Sequence, residues 1–479
     1  MSYIKFTKDL SILGLTNLAI SIKTLIFLPV ITKLLGAAGY GIWTQIAVSI
    51  SLAVPMATLG LPYALVRFLA PEKDKKQIQD GIYSTLATVS AVALLFSILF
   101  LLFSPLFSSI FGGKEILIAL LACIIFFECL NDVLFNVFRA FQQNQKYSLF
   151  VISQNLGEIS LVIMALLLGW GMIGAVFSLF IPRLIIFLIM SAETIKNFGI
   201  KAPQFLKTRE YLRFSVPSIS ANLSSWMVQS SDKYLIGFFL GSAFVGYYSP
   251  AYVIGNSITF FIMPFIFVLP AILSKAYEEN EIKKVKNYLK NSLKIFLALA
   301  IPSLFGLTAL SKQILTICST PEIAQKSYHI IPLVSFAILL FGLYSIIGQI
   351  MVLKKKTKII GMIWGIAAFL NITFNLFLVP ILGLLAAAIA TIIGYAFAFA
   401  VAVFYSKSNF NFEFDWSFTL KSILSSLLMY FSVLLFSPAG LQKTIAAIIG
   451  GAAIYMMAML FLKAIGKKEI KFMKNLFKF

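Results

Sequence analysis

The sequence predicts an all-α protein that crosses a membrane about fourteen times. Of its 479 residues, 60% are hydrophobic and only 12% are charged, which is about half the charged share of a soluble domain. The hydrophobic residues form long runs of about the 20 residues that a transmembrane helix needs. These runs lack the alternating pattern of transmembrane β-strands. A soluble enzyme of this length is excluded, because it would have too little polar surface to cover so much apolar surface.

Fourteen hydrophobic runs are long enough to be transmembrane helices. In chain order, the predicted spans are residues 10–31, 42–65, 81–103, 116–138, 148–168, 171–192, 214–238, 247–273, 293–310, 328–352, 359–379, 383–405, 420–437 and 444–462. The links between them are too short for a folded extramembrane domain. The polar start, Met1–Asp9, precedes a run without a small-residue cleavage site, so we expect the first span to stay uncleaved.

The distribution of positive charge predicts the orientation of the helices. The chain has 39 Lys and Arg against 18 Asp and Glu, a net charge of +21. In a soluble protein such an excess would indicate nucleic acid as a partner. Here 31 of the basic residues lie in or beside alternate links, and only 5 lie in the other links. Because short cytoplasmic loops are enriched in Lys and Arg, we expect both termini in the cytoplasm.

An internal repeat divides the chain into two halves. The segment Leu35–Trp43 aligns with Leu240–Tyr248, 205 residues later, and Gly171–Ala175 resembles Gly383–Ala387. Two repeats of six spans have the same orientation, an arrangement of transporters whose substrate path lies between the halves. The predicted parts are a six-helix bundle over residues 1–200, a parallel six-helix bundle over 201–410, and two further helices with a basic amphipathic tail over 411–479.

Polar side chains form stripes on two predicted spans, at the spacing of one helix face. The stripe on span 4 consists of Glu128, Asp132, Asn136 and Arg139. The stripe on span 7 consists of Ser218, Asn222, Ser225, Gln229 and Asp232. Such faces are costly against lipid, so we predict that they face the bundle interior or water.

Four segments carry motifs shared with a known family. They are Leu28–Trp43, Leu59–Phe68, Phe138–Tyr147 and Asp232–Tyr248. These segments resemble the polysaccharide-biosynthesis flippases, which are O-antigen-type exporters of the multidrug/oligosaccharidyl-lipid/polysaccharide (MOP) superfamily. The resemblance covers the whole chain. It implies a V-shaped transporter that moves lipid-linked oligosaccharide from the cytoplasmic to the outer leaflet by alternating access.

Three groups of candidate site residues follow, because ionisable groups within spans are functional candidates by default. The cations that could bind the anionic head group of a lipid-linked substrate are Lys23, Arg139, Arg183 and Lys233. The carboxylates for ion coupling or gating are Glu128, Asp132, Glu158 and Asp232. The amides that could hydrogen-bond sugar are Asn17, Asn222, Gln229 and Asn371. A second interpretation stays open, in which these charges are buried ion pairs that fix helix packing.

We therefore expect a flippase for polyprenyl-pyrophosphate-linked oligosaccharide in the plasma membrane of a prokaryote. Its expected partners are the substrate, membrane lipids, and glycan polymerases or glycosyltransferases, with H⁺ or Na⁺ as the coupling ion. No P-loop, catalytic cluster or metal motif is present, so we expect neither an enzyme, nor a cofactor, nor a nucleic-acid partner. Two alternatives remain: a cation-coupled multidrug exporter of the same superfamily, and a non-transporting membrane scaffold for glycan assembly.

Overall fold

The computed structural model describes residues 3–108, 111–410 and 414–464. Within these ranges, the side chains of residues 3–15, 17–22, 106–107, 218, 220–221 and 409 lie outside the description. All regular secondary structure of the described residues is helical, so the predicted all-α fold is confirmed. The predicted amphipathic tail falls largely on residues 465–479, and this part lies outside the described residues, as does the side chain of Asn17.

Twelve helices of the described chain are long and apolar enough to cross a membrane, and the predicted polytopic membrane architecture is confirmed. The first of the twelve, Lys23–Ala57, belongs to a helix that is interrupted at Gly36. The helix Thr208–Leu240, which contains the predicted span 214–238, is not among the twelve. Its sequence includes Asp232 and Lys233 beside several serines. The count of fourteen spans and the cytoplasmic termini stay predictions.

The helices pack into two compact units, of which unit 1 consists of Met1–Trp226 and Gly241–Gly246. Its helices are α1 (Tyr3–Ala57), α2 (Leu61–Leu69), α3 (Lys75–Leu102), α4 (Ser104–Phe107), α5 (Glu115–Ala140), α6 (Asn144–Leu167), α7 (Gly171–Phe198) and the first part of α8 (Thr208–Leu240). Helix α5 lies at the centre and packs against α1, α2, α3 and α7. Its Leu134 and Phe138 form a buried cluster with Ile186 and Met190 of α7.

Unit 2 consists of Met227–Leu240 and Tyr247–Phe479. Its helices are the rest of α8, α9 (Ser242–Gly255), α10 (Thr259–Glu278), α11 (Ile282–Ala309), α12 (Ser311–Cys318), α13 (Pro321–Ser327), α14 (Ile330–Ile347), α15 (Gln349–Leu353), α16 (Thr357–Leu382), α17 (Leu384–Phe410), α18 (Trp416–Phe436) and α19 (Gly440–Phe461). Helix α17 packs against α14 and α16, and α11 packs against α14 and α18. The predicted division at residues 200 and 410 stays a prediction.

Glycine permits a break and a close helix crossing in unit 1. Gly36 has a φ of 67°, a left-handed conformation that glycine adopts without steric cost, and it interrupts α1. At Gly41, an added Cβ would lie 1.8 Å from the carbonyl oxygen of Ser242, and at Gly246 it would lie 1.7 Å from that of Ala37. These two segments are the ones aligned by the internal repeat. Their backbones meet so closely that only glycine fits at the crossing.

The link between α7 and α8 is fastened to α3 by hydrogen bonds. The carboxylate of Asp80 accepts from the backbone N–H of Gln204 at 2.6 Å and of Leu206 at 3.1 Å. The hydroxyl of Tyr83 donates to the carbonyl oxygen of Gly199 at 2.5 Å. Because hydrogen bonds to a charged acceptor are among the stronger ones, Asp80 holds this link in one position.

Candidate functional site

Four of the predicted ionisable residues meet in unit 1 and form an ionic cluster. Lys23 on α1 lies 2.8 Å from Glu158 on α6, measured from Nζ to Oε2. Arg183 on α7 contacts the other carboxylate oxygen of Glu158 through Nη1 at 2.8 Å. The same guanidinium donates from Nε to Glu128 on α5 at 2.6 Å. Each of the four helices α1, α5, α6 and α7 therefore supplies one charge to the ionic cluster.

The ionic cluster is electrically balanced but not uniformly buried. Its two cations and two carboxylates sum to zero charge, which lowers the cost of placing them within a membrane span. The side chains of Glu158 and Arg183 are 1% and 7% exposed, whereas those of Lys23 and Glu128 are 21% and 25% exposed. Lys23 and Glu128 are therefore the more exposed members, while Arg183 and Glu158 form the buried centre.

Neutral side chains surround the ionic cluster. The amide of Gln154 donates to Glu158 at 3.1 Å, and Arg183 also donates to the carbonyl oxygen of Leu179 at 2.7 Å. The amide nitrogen of Asn131 donates to the backbone carbonyl of Arg183 at 2.9 Å. The amide oxygens of Asn131, Gln154 and Asn155 are buried without a hydrogen-bond partner among the described residues. Unsatisfied buried acceptors are costly, so these three are positions where a donor, such as water or a ligand hydroxyl, would be stabilising.

The rest of the span-4 stripe forms a separate hydrogen-bonded chain along α5. The amide nitrogen of Asn136 donates to Asp132 Oδ1 at 3.0 Å, and Arg139 donates to Asn136 Oδ1 at 3.1 Å. The guanidinium of Arg139 is exposed and lies 5.7 Å from the ring centroid of Tyr147. Asn136 thus links Asp132 to Arg139, and the predicted single stripe divides into the ionic cluster and this exposed end.

In unit 2, Asp232 and Lys233 on α8 form a second buried charge pair, which we call the Lys233 site together with Tyr248 and Tyr252. Lys233 Nζ lies 3.1 Å from Asp232 Oδ1, and the hydroxyl of Tyr248 donates to Asp232 Oδ2 at 2.7 Å. The ammonium group also lies 3.8 Å from the ring centroid of Tyr252, a cation–π distance. Neighbouring residues of one helix therefore neutralise each other within unit 2.

The predicted sugar-binding amides occupy different environments. Asn371 on α16 is fully buried and accepts from the hydroxyl of Ser231 at 3.2 Å and from the amide of Asn375 at 3.2 Å. Its own amide nitrogen, Nδ2, has no hydrogen-bond partner in the described part of the chain. Asn222 and Gln229 on α8 are exposed. The sugar-binding role of these amides stays a prediction.

Sequence reasoning missed several residues of these two sites. Tyr248, Tyr252, Asn131 and Gln154 were not singled out, although each contacts a predicted charged residue. Gln154 precedes Glu158 by one helical turn, and this spacing was a usable signal. Among the described residues, no group of three or more His, Cys, Asp and Glu side chains is arranged to hold a metal ion.

The fold, with twelve membrane-spanning candidates among its described helices, defines a polytopic α-helical membrane protein. The sequence profile of the polysaccharide biosynthesis protein family matches residues 6–274, which is more than half of the chain. The chain therefore belongs to the polysaccharide biosynthesis protein family, and the predicted resemblance is confirmed. The MatE profile matches residues 217–377.

One curated relative and two solved structures illustrate the likeness. The probable low-salt glycan biosynthesis flippase Agl15 of Haloferax volcanii is 25% identical over 198 residues, which are 41% of this chain and 42% of that protein. The lipid II flippase MurJ, in an inward closed conformation, has a TM-score of 0.76 and 19% identity, with 95% of this chain and 99% of that chain covered. An inward-facing multidrug resistance MATE family transporter of the MOP superfamily has a TM-score of 0.67 and 16% identity, covering 83% and 94%. The chain thus has the fold of MOP superfamily transporters and spans less than half of Agl15.

Proposed function

We propose that this protein is a flippase that moves polyprenyl-pyrophosphate-linked oligosaccharide from the cytoplasmic to the outer leaflet of a prokaryotic plasma membrane. The observation that carries the proposal is the ionic cluster within the spans of unit 1, whose Lys23 and Glu128 are accessible. Membership of the polysaccharide biosynthesis protein family supports a glycan substrate. The likeness to Agl15, named a glycan biosynthesis flippase, supports the same class of cargo.

The mechanism we propose is an exchange of partners within the ionic cluster. Lys23 is held by Glu158 alone among the contacts described for its ammonium group, so an arriving pyrophosphate can compete for it. Arg183 would then be the one cation left for the two carboxylates Glu128 and Glu158. One of these carboxylates would take up H⁺ or Na⁺, because an uncompensated charge within a membrane span is costly. Substrate binding and ion binding would thereby be coupled at one site.

The other predicted residues have different roles in this proposal, according to their exposure and their present partners. Arg139 is exposed and can meet the head group where it enters, with Asp132 beside it to bind an ion. Arg183 positions Glu128 and Glu158 through its two ion pairs. Lys233 is already engaged by Asp232 and two tyrosine rings, so it would contribute to gating within unit 2. The sugar would be hydrogen-bonded by Asn17, Asn222, Gln229 and Asn371.

A cation-coupled multidrug exporter is the second candidate function. It is favoured by the MatE profile, which matches residues 217–377, and by the similar fold of a multidrug resistance transporter. In that case the carboxylates Glu128 and Asp132 would bind the cationic drug or the coupling ion. A third candidate, a membrane scaffold for glycan assembly, would not need the ionic cluster to change partners.

The decisive experiment is deletion of the gene followed by extraction of lipid-linked glycans. We expect complete oligosaccharide to accumulate on the cytoplasmic leaflet while surface polysaccharide is lost. Wild-type protein should restore export, Lys23→Gln should not, and Lys33→Gln should serve as a matched control because Lys33 is an exposed residue of the same helix. An intact surface with changed sensitivity to cationic drugs would support the exporter instead. Full export by a variant in which Lys23→Gln is combined with neutralisation of all the other in-span charges would support the scaffold.

A further inference from the structure

A cavity of about 420 Å³ opens at one end of unit 2, and we call it the basic cavity. Its lining residues are Tyr277, Ile282, Lys286, Lys354, Lys407, Ser408 and Phe410. They come from four places in the chain: the last turn of α10, the start of α11, the residue after α15, and the end of α17. The fold therefore brings three separate links to one point, and each link contributes one lysine.

The chemistry of the basic cavity is that of an anion site. Three ammonium groups and the hydroxyls of Tyr277 and Ser408 line it, and the described lining residues include no carboxylate. Among the described residues, neither Lys286 nor Lys407 has a carboxylate within the 4.0 Å of an ion pair. Lys286 and Lys407, which line one cavity without a counter-ion among the described residues, repel each other. A phosphate group would relieve this repulsion and accept hydrogen bonds from the ammonium groups.

The basic cavity also has an apolar side. The rings of Tyr277 and Phe410 lie with their centroids 6.1 Å apart, and Lys354 Nζ is 5.8 Å from the Phe410 centroid. Ile282 stands beside them and is exposed. A soluble anion would gain nothing from these apolar side chains, whereas the glycerol and the first acyl carbons of a lipid would pack against them.

Helix-end electrostatics do not account for all three lysines. Lys354 and Lys407 stand at the C-terminal ends of α15 and α17, where a cation is favoured by the helix dipole. Lys286 lies near the N-terminal end of α11, where the dipole disfavours a cation. All three belong to links that the distribution of positive charge assigns to the cytoplasm, where anionic lipids give the leaflet a negative surface potential. We propose that the basic cavity binds the phosphate group of an anionic phospholipid in the cytoplasmic leaflet.

The test measures lipid retention on the full-length protein in nanodiscs that contain phosphatidylglycerol and phosphatidylcholine. Native mass spectrometry after transfer to detergent counts the bound lipids. The cavity variant is Lys286→Gln with Lys407→Gln. The matched control is Lys284→Gln with Lys358→Gln, which removes the same charge from exposed residues outside the cavity, and Lys284 is paired with Glu281 at 2.6 Å. This test does not depend on the transported substrate.

We expect wild-type protein to retain phosphatidylglycerol in preference to phosphatidylcholine. The cavity variant should bind it about fivefold more weakly for each lysine removed, and the control should change less than about twofold. Lys286→Arg should keep the affinity, because the charge remains. Equal weakening in the cavity variant and the control would overturn the proposal, since overall surface charge would then explain retention. Displacement of the lipid by millimolar inorganic pyrophosphate would also overturn it, because a soluble anion would then be the occupant.

Discussion

Replacing Arg183 by Gln is expected to destabilise unit 1 by about 3 kcal/mol. The substitution removes the ion pairs to Glu128 and Glu158 and the hydrogen bond to the carbonyl of Leu179. Removing one partner of a buried ion pair costs about 3–5 kcal/mol, because a charge stays buried without compensation. The lower end of this range applies here, since Lys23 still opposes Glu158 and since Glu128 is 25% exposed and can be reached by water.

A double variant separates charge balance from the loss of one side chain. Arg183→Gln with Glu158→Gln leaves Lys23 and Glu128, so the net charge of the ionic cluster returns to zero. We expect it to recover at least about 1.5 kcal/mol of the loss, a coupling in the range found for residues of one network. Lys146→Gln is the control, because the ion pair of Lys146 with Glu193 is 45% and 25% exposed, and such pairs contribute about 0–1 kcal/mol.

The assay is equilibrium unfolding of purified protein in mixed micelles, combined with export in the deletion strain. If Arg183→Gln lowers the free energy of unfolding no more than the Lys146→Gln control does, the ionic cluster does not stabilise the fold. Export by a stable double variant would show that the ionic cluster serves helix packing and not transport. Wild-type export by Arg183→Ala, with normal membrane insertion, would contradict any part of Arg183 in transport.

Three further predictions concern the helix crossing, the link between α7 and α8, and one helix cap. Gly246→Ala should cost about 3 kcal/mol of unfolding free energy, because its Cβ would lie 1.7 Å from a backbone oxygen that cannot move independently. Asp80→Ala should raise tryptic cleavage after Lys201 and Lys207 by about tenfold or more, because the link loses two hydrogen bonds to a carboxylate. Asp415 is buried in part, which raises its pKa, but the ammonium of Lys294 and the N–H of Phe418 outweigh this and lower the pKa below its ordinary value. Its stabilising contribution is therefore present above about pH 4 and lost as the pH falls through the lowered pKa. Asp415→Asn should lose about 1 kcal/mol at neutral pH, and below pH 4 its stability should depend less on pH than that of the wild type.

Matched controls exist for two of these predictions. Gly361→Ala adds a Cβ with no atom within 4 Å, so it should be neutral or stabilising by up to about 1 kcal/mol. Asp74→Ala removes an exposed helix cap and should leave cleavage in the link unchanged. Tolerance of Gly246→Ala, unchanged cleavage in Asp80→Ala, or a parallel pH profile for Asp415→Asn would each contradict the contact on which the prediction rests.

The membrane architecture could be predicted from the sequence, because it depends on long runs of apolar residues that are visible without any tertiary contact. The ion-pair interpretation was also available, since Lys23, Arg183, Glu128 and Glu158 lie within spans. The actual pairing was not, because the three predicted cations and three predicted carboxylates of unit 1 allow several different pairings. Glu128 and Asp132 share one face of α5, yet only Glu128 forms an ion pair with Arg183. Which of the two carboxylates pairs with Arg183 depends on the position of α7 along the axis of α5.

The aromatic part of the Lys233 site was missed for a different physical reason. Tyrosines within a membrane span are ordinarily read as packing or interfacial residues, so Tyr248 and Tyr252 were not expected to contact a charge. Their spacing of one helical turn places both on the same face of α9, which was a usable signal. Nothing in the sequence, however, indicated that this face packs against Lys233 of α8.

The ionic cluster also bears on how the chain is made. Its charges leave the ribosome in the order Lys23, Glu128, Glu158 and Arg183, and each helix that carries a lone charge enters lipid at a cost of about 2.5–3.5 kcal/mol. Until α7 emerges, the cluster has one cation for two carboxylates and remains incomplete. We therefore expect α1, α5 and α6 to stay beside the insertion machinery until α7 arrives, so that the four helices of the ionic cluster are released into the bilayer as one preassembled bundle.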